Sequence, residues 1–510
     1  MRSPIQEYLE RLHSTYSSLR DGDVASYIPE LSNADPEWFG ISVATIDGRV
    51  YEVGDTRRPF TIQSISKPFT YGLALEDRGV EAVLGKIGVE PTGDAFNSIS
   101  LDPITGCPLN PMINAGAIAS VSMIAGGSEH EREQRLLASY STYAGRPLTI
   151  DEDVYRSELA TGHRNRAIGH MLRTFDILRE DPDPVLDLYF RQCSILVDCR
   201  DLSLMAATLA NAGVNPITGE RALRPEYVER LLSVMTTCGM YDYSGAWVYS
   251  IGMPAKSGVS GGVMVALPGQ LGVAVFSPPI DARGNSVRGV AVCKDLSRDA
   301  ELHFLRVARS ARSALRAEYT IADVRSKRLR PESQRETLST FGNRVVVFEL
   351  QGDLLFPAIE AVVRQIVDRT DALDIVVLEL KRVDVIAEPA TRILSELVRS
   401  FSERGKHLVV VSTPAHQTTV DLLEQDGDGS MTSFPDLDAA LEWCEDQVIL
   451  ERSHEAVACG PVSLMEHGLC RGLETAEVRQ LEELLEPRHF EAGDSILRAG
   501  ETADAIFLLM

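Results

Sequence analysis

The sequence lacks long apolar runs and is poor in basic residues. No stretch of the 510-residue chain approaches the run of about 18 apolar residues that a membrane helix requires, so no membrane partner is predicted. Lysine and arginine number 50 against 74 aspartate and glutamate residues, which leaves a formal net charge of -24. Because phosphate groups bind to basic surfaces, this charge argues against nucleic acid as a partner. A small, neutral or zwitterionic substrate is expected.

Paired cysteines are also lacking. The eight cysteines include no C-x-x-C pair, so neither a zinc site nor a redox pair is indicated. The chain begins with an amphipathic, acidic segment that is unlike a signal peptide. We therefore expect a cytoplasmic protein whose thiols are reduced.

Composition divides the chain into several parts. Near residue 316 a region rich in glycine, asparagine and proline turns gives way to a charged, apolar-poor stretch, as in a linker. From residue 339, strand-like runs at 345–350, 375–380 and 408–411 alternate with helical patterns, which predicts a small sheet covered by helices. The expected parts are a first domain at 1–315, a linker at 316–338, a second domain at 339–452 and an incomplete β-roll at 463–510.

Only seven lysines occur, and two of them stand in motifs of serine acyl-transfer enzymes. An S-x-x-K motif runs from Ser64 to Lys67, and a K-[ST]-G motif begins much later at Lys256. If Ser64 opens a helix, Lys67 lies one turn further on the same face and its amine can reach the serine oxygen. The alternative for the first motif is an ordinary helix start with a surface lysine.

Three further polar side chains stand where they could bind a substrate. Asn114 lies in a polar turn that enters an apolar helix. Glu158 and Asn165 are seven residues apart, which corresponds to two turns of a helix, and such a pair could hold an ammonium and a carboxylate group. The alternative for Glu158 is a surface ion pair with Arg156 or Arg164.

Six segments in order resemble the signature segments of one enzyme family. They are Gln-Ser-Ile-Ser-Lys (63–67), Asn-Pro-Met-Ile-Asn-Ala-Gly-Ala-Ile (110–118), Ser-Glu (157–158) with Asn165 after it, Tyr-x-Arg-Gln-Cys (189–193), Cys-Gly-Met-Tyr-Asp (238–242) and Pro-Ala-Lys-Ser-Gly-Val-Ser-Gly-Gly (254–262). The family is that of the serine-dependent glutaminases, and the resemblance covers about residues 5–312. It implies an α+β fold of the β-lactamase and transpeptidase kind, with an antiparallel sheet, flanking helices and a helical subdomain. The implied activity is hydrolysis of the side-chain amide of L-glutamine to L-glutamate and ammonia.

The resemblance also implies roles for individual residues. Ser64 would be the nucleophile that forms an acyl-enzyme, Lys67 its general base, and Tyr241 the group that moves the proton to the leaving ammonia. The backbone N–H groups of Val259 and Ser64 would form the oxyanion hole. The residues implied to bind the substrate are Ser64, Asn114, Glu158, Asn165, Tyr189, Tyr241, Val259 and Tyr27. Neither a metal nor an organic cofactor is implied, and family members commonly form homodimers or homotetramers.

Two rival hypotheses accompany this interpretation. A β-lactam or peptidoglycan hydrolase would share the fold, but the Asn114, Glu158 and Tyr241 segments disfavour it. A catalytically silent signalling scaffold would be consistent with the C-terminal segments, whereas an intact set of catalytic residues argues against it.

The C-terminal segments resemble regulatory modules. Residues 339–452 resemble a STAS domain in their strand and helix pattern, and the loop at 383–390 has no serine to be phosphorylated. A docking or dimerising module with a regulatory protein partner is therefore expected. Residues from 463 resemble the opening of a cyclic-nucleotide-binding domain in Phe490-x-x-Gly493-Asp494-x-Ile496 and Gly500-Glu501. The phosphate-gripping cassette of that family lies later than residue 510, so no cyclic nucleotide is expected to bind.

Overall fold

The computed structural model describes most of the chain in two units. The described residues are 3–93, 100–305, 314–426, 429–453, 463–470, 472–490, 495–497 and 505–508. The first unit comprises residues 2–311 with 355–360, and the second comprises residues 312–354 with 361–510. Within the described ranges, no helix is both long enough and apolar enough to cross a membrane.

Helices are the main secondary structure of the first unit. They are α1 (Pro4–Tyr16), α2 (Lys67–Arg78), α3 (Val80–Leu84), α4 (Asn114–Val121), α5 (Glu129–Ala144), α6 (Glu152–Thr161), α7 (His163–Thr174), α8 (Pro182–Cys193), α9 (Cys199–Ala210), α10 (Pro225–Cys238), α11 (Ser244–Ser250) and α12 (Val287–Asp299). The strands are β1 (Asp23–Val24), β2 (Gly40–Thr45), β3 (Val50–Gly54), β4 (Phe60–Thr61), β5 (Thr149–Ile150), β6 (Ile195–Val197), β7 (Ala255–Ser257), β8 (Gly262–Leu267), β9 (Leu271–Phe276) and β10 (Pro279–Ile280).

The central sheet of this unit is antiparallel throughout. Its strand order is β3-β2-β9-β8-β7. Every residue of β2, β8 and β9 is buried, which suits their largely apolar sequences. The predicted α+β fold with an antiparallel sheet is therefore confirmed.

Helix α9 packs directly on the central sheet. A capping box starts the helix, because the side chains of Asp198 and Asp201 each accept the backbone N–H of the other residue. At Gly272 of β9, a Cβ atom would lie 2.3 Å from the backbone nitrogen of Ala207. Only glycine permits this approach of helix and strand.

A small sheet links the central layer to the helical half of the unit. Its strand order is β4-β6-β5. Phe60 on β4 stacks on Phe276 of β9, and the two ring centres are 4.0 Å apart. After β4 ends at Thr61, the 3₁₀ turn Gln63–Ser66 and helix α2 follow at once. The S-x-x-K segment is therefore anchored at its start to the central sheet.

The second unit is a five-stranded sheet with helices. Its strands are β11 (Leu315–Thr320), β12 (Val345–Leu354), β13 (Ile375–Ile386), β14 (His407–Val411) and β15 (Met431–Phe434). The later helices of the chain are α13 (Glu332–Phe341), α14 (Phe356–Asp368), α15 (Glu388–Ser402), α16 (Gln417–Asp426), α17 (Leu437–Ser453) and α18 (Thr475–Glu482). The strands lie in sequence order, β11 antiparallel to β12 and the other neighbours parallel. The three strands predicted between residues 345 and 411 are confirmed as parts of β12, β13 and β14.

Residues 316–338, for which the sequence predicts a linker, hold most of β11 and the start of α13. Arg330 in this segment is buried against α17, with its guanidinium 3.0 Å from Glu445 and 2.5 Å from Asp446. The hydroxyl of Ser326 donates to Glu445 at 2.7 Å. Charged side chains are typical of a segment that is exposed to solvent. In this segment, however, the arginine charge neutralises carboxylates of the same unit.

The C-terminal stretch contains α18 and the 3₁₀ turns Leu464–Glu466 and Gly468–Cys470. Its described residues at 485–490, 495–497 and 505–508 form no strand. The motif residues Gly493, Asp494, Gly500 and Glu501 lie outside the described residues. The incomplete β-roll therefore stays a prediction.

Candidate active site

The S-x-x-K segment begins with strained backbone. Gln63 has a φ of 49°, in the left-handed region that few residues other than glycine adopt. Ser64 follows on the 3₁₀ turn and is half-buried, and α2 begins with Lys67 one turn later. Pro68 occupies the first turn of α2, where its missing N–H costs no helical hydrogen bond. Ser64 therefore opens a helix, as the motif spacing predicts.

Buried hydrogen bonds hold this strained turn in place. The hydroxyl of Ser66 donates to the backbone oxygen of Gln63 at 2.6 Å, and the Gln192 amide donates to that hydroxyl at 2.8 Å. The Tyr140 hydroxyl donates to the backbone oxygen of Ser66 at 2.6 Å. Because these groups are buried, rotation of the turn would leave several of them unpaired.

Lys67 is fully buried among uncharged partners. Its Nζ donates to Asn114 Oδ1 at 2.7 Å and lies 3.3 Å from the hydroxyl of Tyr241. Burial disfavours the charged ammonium form and lowers the pKa of Lys67 to about 7. The surface-lysine alternative is therefore excluded, and the amine can act as a base near neutral pH.

Lys256 lies on β7 and converges on the same tyrosine. It is fully buried, and its Nζ donates to the backbone oxygen of Ser257 at 2.7 Å. The same atom is 3.9 Å from the ring centre of Tyr241, while Lys67 Nζ is 5.3 Å from that centre. Burial and the repulsion of Lys67 lower the pKa of Lys256 well below its usual value. Both lysines therefore release protons far more readily than exposed lysines do.

Tyr241 stands between the two lysines and Ser64. Its φ of 56° is again in the left-handed region. Its hydroxyl is hydrogen-bonded to Ser64, and burial raises the pKa of Tyr241 above its usual value despite that bond. The phenol is therefore protonated in the resting site and can donate a proton to a neighbour.

A hydrogen-bonded chain of amides extends from Lys67. Asn114 is the first residue of α4, and its Nδ2 donates to Asn165 Oδ1 on α7 at 2.9 Å. Asn114 is buried and Asn165 is half-buried. The orientation of both amides is thereby set relative to the base.

Glu158 on α6 lies on another side of the site. It is only 5% exposed, and its Oε1 accepts the Tyr27 hydroxyl at 2.7 Å. The same hydroxyl is 2.8 Å from Oε1 of Gln63, the residue that precedes Ser64. Burial raises the pKa of Glu158, and the hydrogen bonds from Tyr27 and Gln63 oppose this change. Glu158 is buried rather than on the surface, and Arg156 pairs with Asp153 at 3.0 Å, so the alternative of a surface ion pair with Arg156 is overturned.

Tyr189 and Cys193 lie one turn apart on α8. Tyr189 is buried and hydrogen-bonded to Cys193. Burial, with the charge of Glu158 as the next cause, raises the pKa of the Cys193 thiol to about 12. Cys193 and Gln63 therefore belong to the site, although sequence reasoning assigned neither a role. The sequence held a signal for both roles, because Gln63 begins and Cys193 ends one of the six segments that resemble the family.

Val259 lies in the turn that joins β7 to β8. The Gly258 N–H donates to Gly262 O at 2.9 Å, and the Gly261 N–H donates to Gly258 O at 3.0 Å. A Cβ atom on Gly258 would lie 3.1 Å from the backbone oxygen of Ile62, which shows how closely this turn approaches the nucleophile segment. Val259 itself is half-buried. Across the described part of the chain, no cluster of three His, Cys, Asp or Glu side chains could hold a metal ion.

Known proteins are similar in sequence to both units of this chain. A family model described as Glutaminase matches residues 22–305, and one described as STAS domain matches residues 339–425. Glutaminase 1 of Bradyrhizobium diazoefficiens is 42% identical over 512 aligned residues, which cover 100% of this chain and 83% of that protein. The glutaminase of Trichormus variabilis is 55% identical over 301 residues, covering 59% of this chain and 90% of its own length.

Solved structures give a consistent picture. The crystal structure of Mglu is 41% identical with a TM-score of 0.60, and it covers 81% of this chain and 99% of its own. Mglu in its glutamate form is 38% identical with a TM-score of 0.60 and the same two coverages, 81% and 99%. Sequence and structure comparisons therefore point to the family that the six segments resemble.

Proposed function

The chain belongs to the glutaminase family and is a glutaminase, and we propose that it hydrolyses the side-chain amide of L-glutamine through an acyl-enzyme on Ser64. The observation that carries this proposal is the buried Lys67 with uncharged partners, one turn from Ser64. With a pKa of about 7, much of Lys67 is neutral at physiological pH and can accept a proton. A serine hydroxyl needs such a base before it becomes an effective nucleophile.

Acylation begins when Ser64 loses its proton to Lys67 and Oγ attacks the side-chain amide carbon. The Tyr241 hydroxyl supports this step, since it is hydrogen-bonded to Ser64 and 3.3 Å from Lys67 Nζ. The tetrahedral adduct then breaks its C–N bond as a proton passes to the nitrogen, and ammonia leaves. A γ-glutamyl ester stays on Ser64. Water attacks this ester, its proton returns through the same groups, and L-glutamate is released.

Two backbone N–H groups are suited to binding the oxyanion of that adduct. The N–H of Val259 donates to no acceptor among the described residues. The N–H of Ser64 lies in the first turn of a helix, where backbone donors have no intrahelical acceptor. A preorganised donor of this kind stabilises a transition state by about 3 kcal/mol.

The remaining groups suit an α-amino acid. The carboxylate of Glu158, held by Tyr27, would bind the α-ammonium group, whose charge compensates for the hydration that Glu158 loses on burial. Asn114, Asn165 and Tyr189 offer amide and phenol donors for the α-carboxylate. These assignments are supported by the convergence of the five side chains around Ser64 and Lys67.

Ammonia release from L-glutamine tests the mechanism. Ser64→Ala should lose nearly all turnover, while Ser233→Ala, an exposed serine of the same unit, should keep the wild-type rate. A diazoketone analogue of glutamine should label Ser64 in a peptide map. Turnover that survives Ser64→Ala, or labelling elsewhere, would overturn the acyl-enzyme. An inactive wild-type protein would favour the silent scaffold.

Further proposals concern the oligomeric state, the partners, the domain boundary and the location of the protein. We propose a homodimer or homotetramer, as the family resemblance implies, and a regulatory protein partner for the STAS domain. We place the catalytic boundary near residue 315, so that a chain ending there should still release ammonia. The seven described cysteines are free thiols, which supports a cytoplasmic location. The cyclic-nucleotide-binding resemblance of residues 463–510 is supported only by its sequence pattern.

A further inference from the structure

One buried arginine holds both ends of the segment that carries Tyr27. This segment, residues 17–36, lies between α1 and β2, and we call it the Tyr27 segment. Its regular structure is limited to the two-residue strand β1 and one 3₁₀ turn. All of its residues are exposed or half-buried except Ala25, Ile28 and Leu31. The position of the segment therefore depends on a small number of specific contacts.

Arg288 contacts the Tyr27 segment near its start and at its end. This residue lies in the first turn of α12 and is 1% exposed. Its Nε donates to the backbone oxygen of Leu19 at 3.0 Å, and its Nη1 donates to the backbone oxygen of Pro36 at 3.0 Å. Its Nη2 lies 3.5 Å from the backbone oxygen of Ser17. Because the guanidinium is planar and rigid, these bonds fix the separation between the two ends of the segment.

The guanidinium is itself held in place by the central sheet and by α12. Its Nη1 lies 3.4 Å from the hydroxyl of Ser277, the residue that follows β9. The hydroxyl of Ser286, which caps α12, donates to the backbone oxygen of Ser277 at 2.9 Å. The guanidinium carbon is also 5.5 Å from the ring centre of Phe39, a distance suited to a cation–π contact. Hydrogen bonds from a charged donor are about twice as strong as those between neutral groups, so Arg288 is suited to holding backbone carbonyl groups.

Tyr27, near the middle of the segment, lies at the edge of the active site. Its hydroxyl is 2.7 Å from Glu158 Oε1 and 2.8 Å from Gln63 Oε1, although the residue is 51% exposed. The polar end of the side chain is therefore inside the site, while much of the ring faces solvent. Ile28 packs in an apolar cluster with Val154, but apolar contacts are non-directional. By themselves they do not hold the Tyr27 hydroxyl within the range of a hydrogen bond.

We propose that Arg288 is a positioning residue for substrate binding that acts through Tyr27. It fixes the two ends of the Tyr27 segment, and the segment then holds the Tyr27 hydroxyl within hydrogen-bond distance of Glu158. Among the described residues, the hydrogen bonds of Arg288 go to the segment and to Ser277 and not to Ser64. Its loss should therefore affect substrate binding more than the chemical step. The link to substrate rests on the proposed function, whereas the holding of the segment does not.

Hydrogen exchange of the full chain tests the holding of the segment without using turnover. In Arg288→Met, the amides of residues 18–36 should exchange about 10-fold faster, while those of α5 keep their wild-type rates. Glu37→Gln is the matched control, because it removes an exposed ion pair with Arg20 that joins the same two ends and contributes little. Arg288→Lys keeps the charge on a single nitrogen and should give a smaller acceleration, and it replaces Arg288→Met if that variant does not fold. Unchanged exchange of the segment in the folded Arg288 variants would overturn the proposal.

Steady-state kinetics with L-glutamine test the link to Tyr27. Arg288→Met should raise KM about 10-fold with a smaller change in kcat, whereas a loss of folded protein would lower the apparent kcat alone. In a Tyr27→Phe background the same substitution should change KM by less than about twofold, because the hydroxyl that Arg288 positions is gone. Independent effects of the two substitutions on KM would overturn the proposal. A wild-type KM in Tyr27→Phe would instead refute the binding role of Tyr27 in the proposed function, and hydrogen exchange would still decide whether Arg288 holds the segment.

Discussion

The two units of this glutaminase bury charged side chains in opposite ways. In the first unit, Lys67 is buried beside an amide and a phenol, and the pKa of this lysine falls to about 7. In the second unit, Arg330 is buried beside the carboxylates of Glu445 and Asp446. The first arrangement leaves the charge without a counter-charge and makes the group titrate near neutral pH. The second arrangement neutralises the charge and holds a segment against α17.

The difference shows what a buried charge contributes in each setting. A lysine without a carboxylate partner responds to desolvation by giving up its proton, which is the property that a general base requires. An arginine cannot respond in this way, so Arg330 keeps its charge, and the two carboxylates beside it compensate for its burial. The residue type and its partners together decide whether a buried charged side chain is reactive or stabilising. The following substitutions test this difference between the two units.

The largest effect is expected for Lys67→Arg. Arginine keeps its proton at every accessible pH, so the site would lose the proposed base and retain a positive charge. We expect turnover to fall on the order of 10⁴-fold in a glutamine hydrolysis assay. Lys294→Arg, an exposed lysine of α12, is the matched control and should keep the wild-type rate. Comparable turnover in Lys67→Arg and wild type would show that this lysine is not the base.

Arg330→Met tests the second arrangement. The substitution leaves the buried Glu445 without its counter-charge, which should destabilise the unit by about 3–5 kcal/mol. Hydrogen exchange of the α17 amides measures this change, while turnover should persist. Arg392→Met removes an exposed pair with Glu388 and should cost only about 0.3–0.5 kcal/mol. Equal protection of α17 in both variants would contradict the stabilising role of the cluster.

Glu158→Gln removes a buried charge from the first unit. If Glu158 binds the α-ammonium group, KM for L-glutamine should rise about 10- to 100-fold, with a smaller change in kcat. Glu152→Gln, an exposed carboxylate on the same helix, should leave KM unchanged. A fall in kcat at constant KM would instead assign Glu158 to the chemical step.

The pH dependence of turnover should show the lowered pKa of Lys67. The base must be neutral, so kcat/KM should fall about tenfold per pH unit below pH 7 and level off above it. The profile is measured with L-glutamine between pH 5 and 9, and Lys294→Arg should reproduce it. A value of kcat/KM that still rises about tenfold per pH unit between pH 8 and 9 would mean that Lys67 titrates like an exposed lysine.

Local spacing in the sequence predicted some of the contacts in the site, and other contacts could not be predicted in this way. The S-x-x-K spacing was sufficient to place Lys67 one turn beyond Ser64, because helix geometry relates residues three positions apart. The convergence of Tyr241 and Lys256 on that lysine joins residues almost 200 positions apart. The family resemblance suggested it for Tyr241, and the pairing of the S-x-x-K and K-[ST]-G motifs suggested it for Lys256. Gln63 and Ser66 were quoted within motifs but were given no role. Their roles depend on a left-handed backbone turn and on the amide of Gln192, which no local pattern encodes.

The sequence by itself determined the S-x-x-K motif, the alternating strands and helices after residue 339, and the family with the antiparallel sheet that it implies. Each of these depends on short-range spacing or on segments that occur in a fixed order. Only the tertiary structure decided the protonation of the site, because burial and neighbours set the pKa of Lys67, Lys256 and Glu158. It also decided that the charged segment around Arg330 packs as part of the second unit. In each case the reason is desolvation, which depends on what surrounds a group in space and not on its neighbours along the chain.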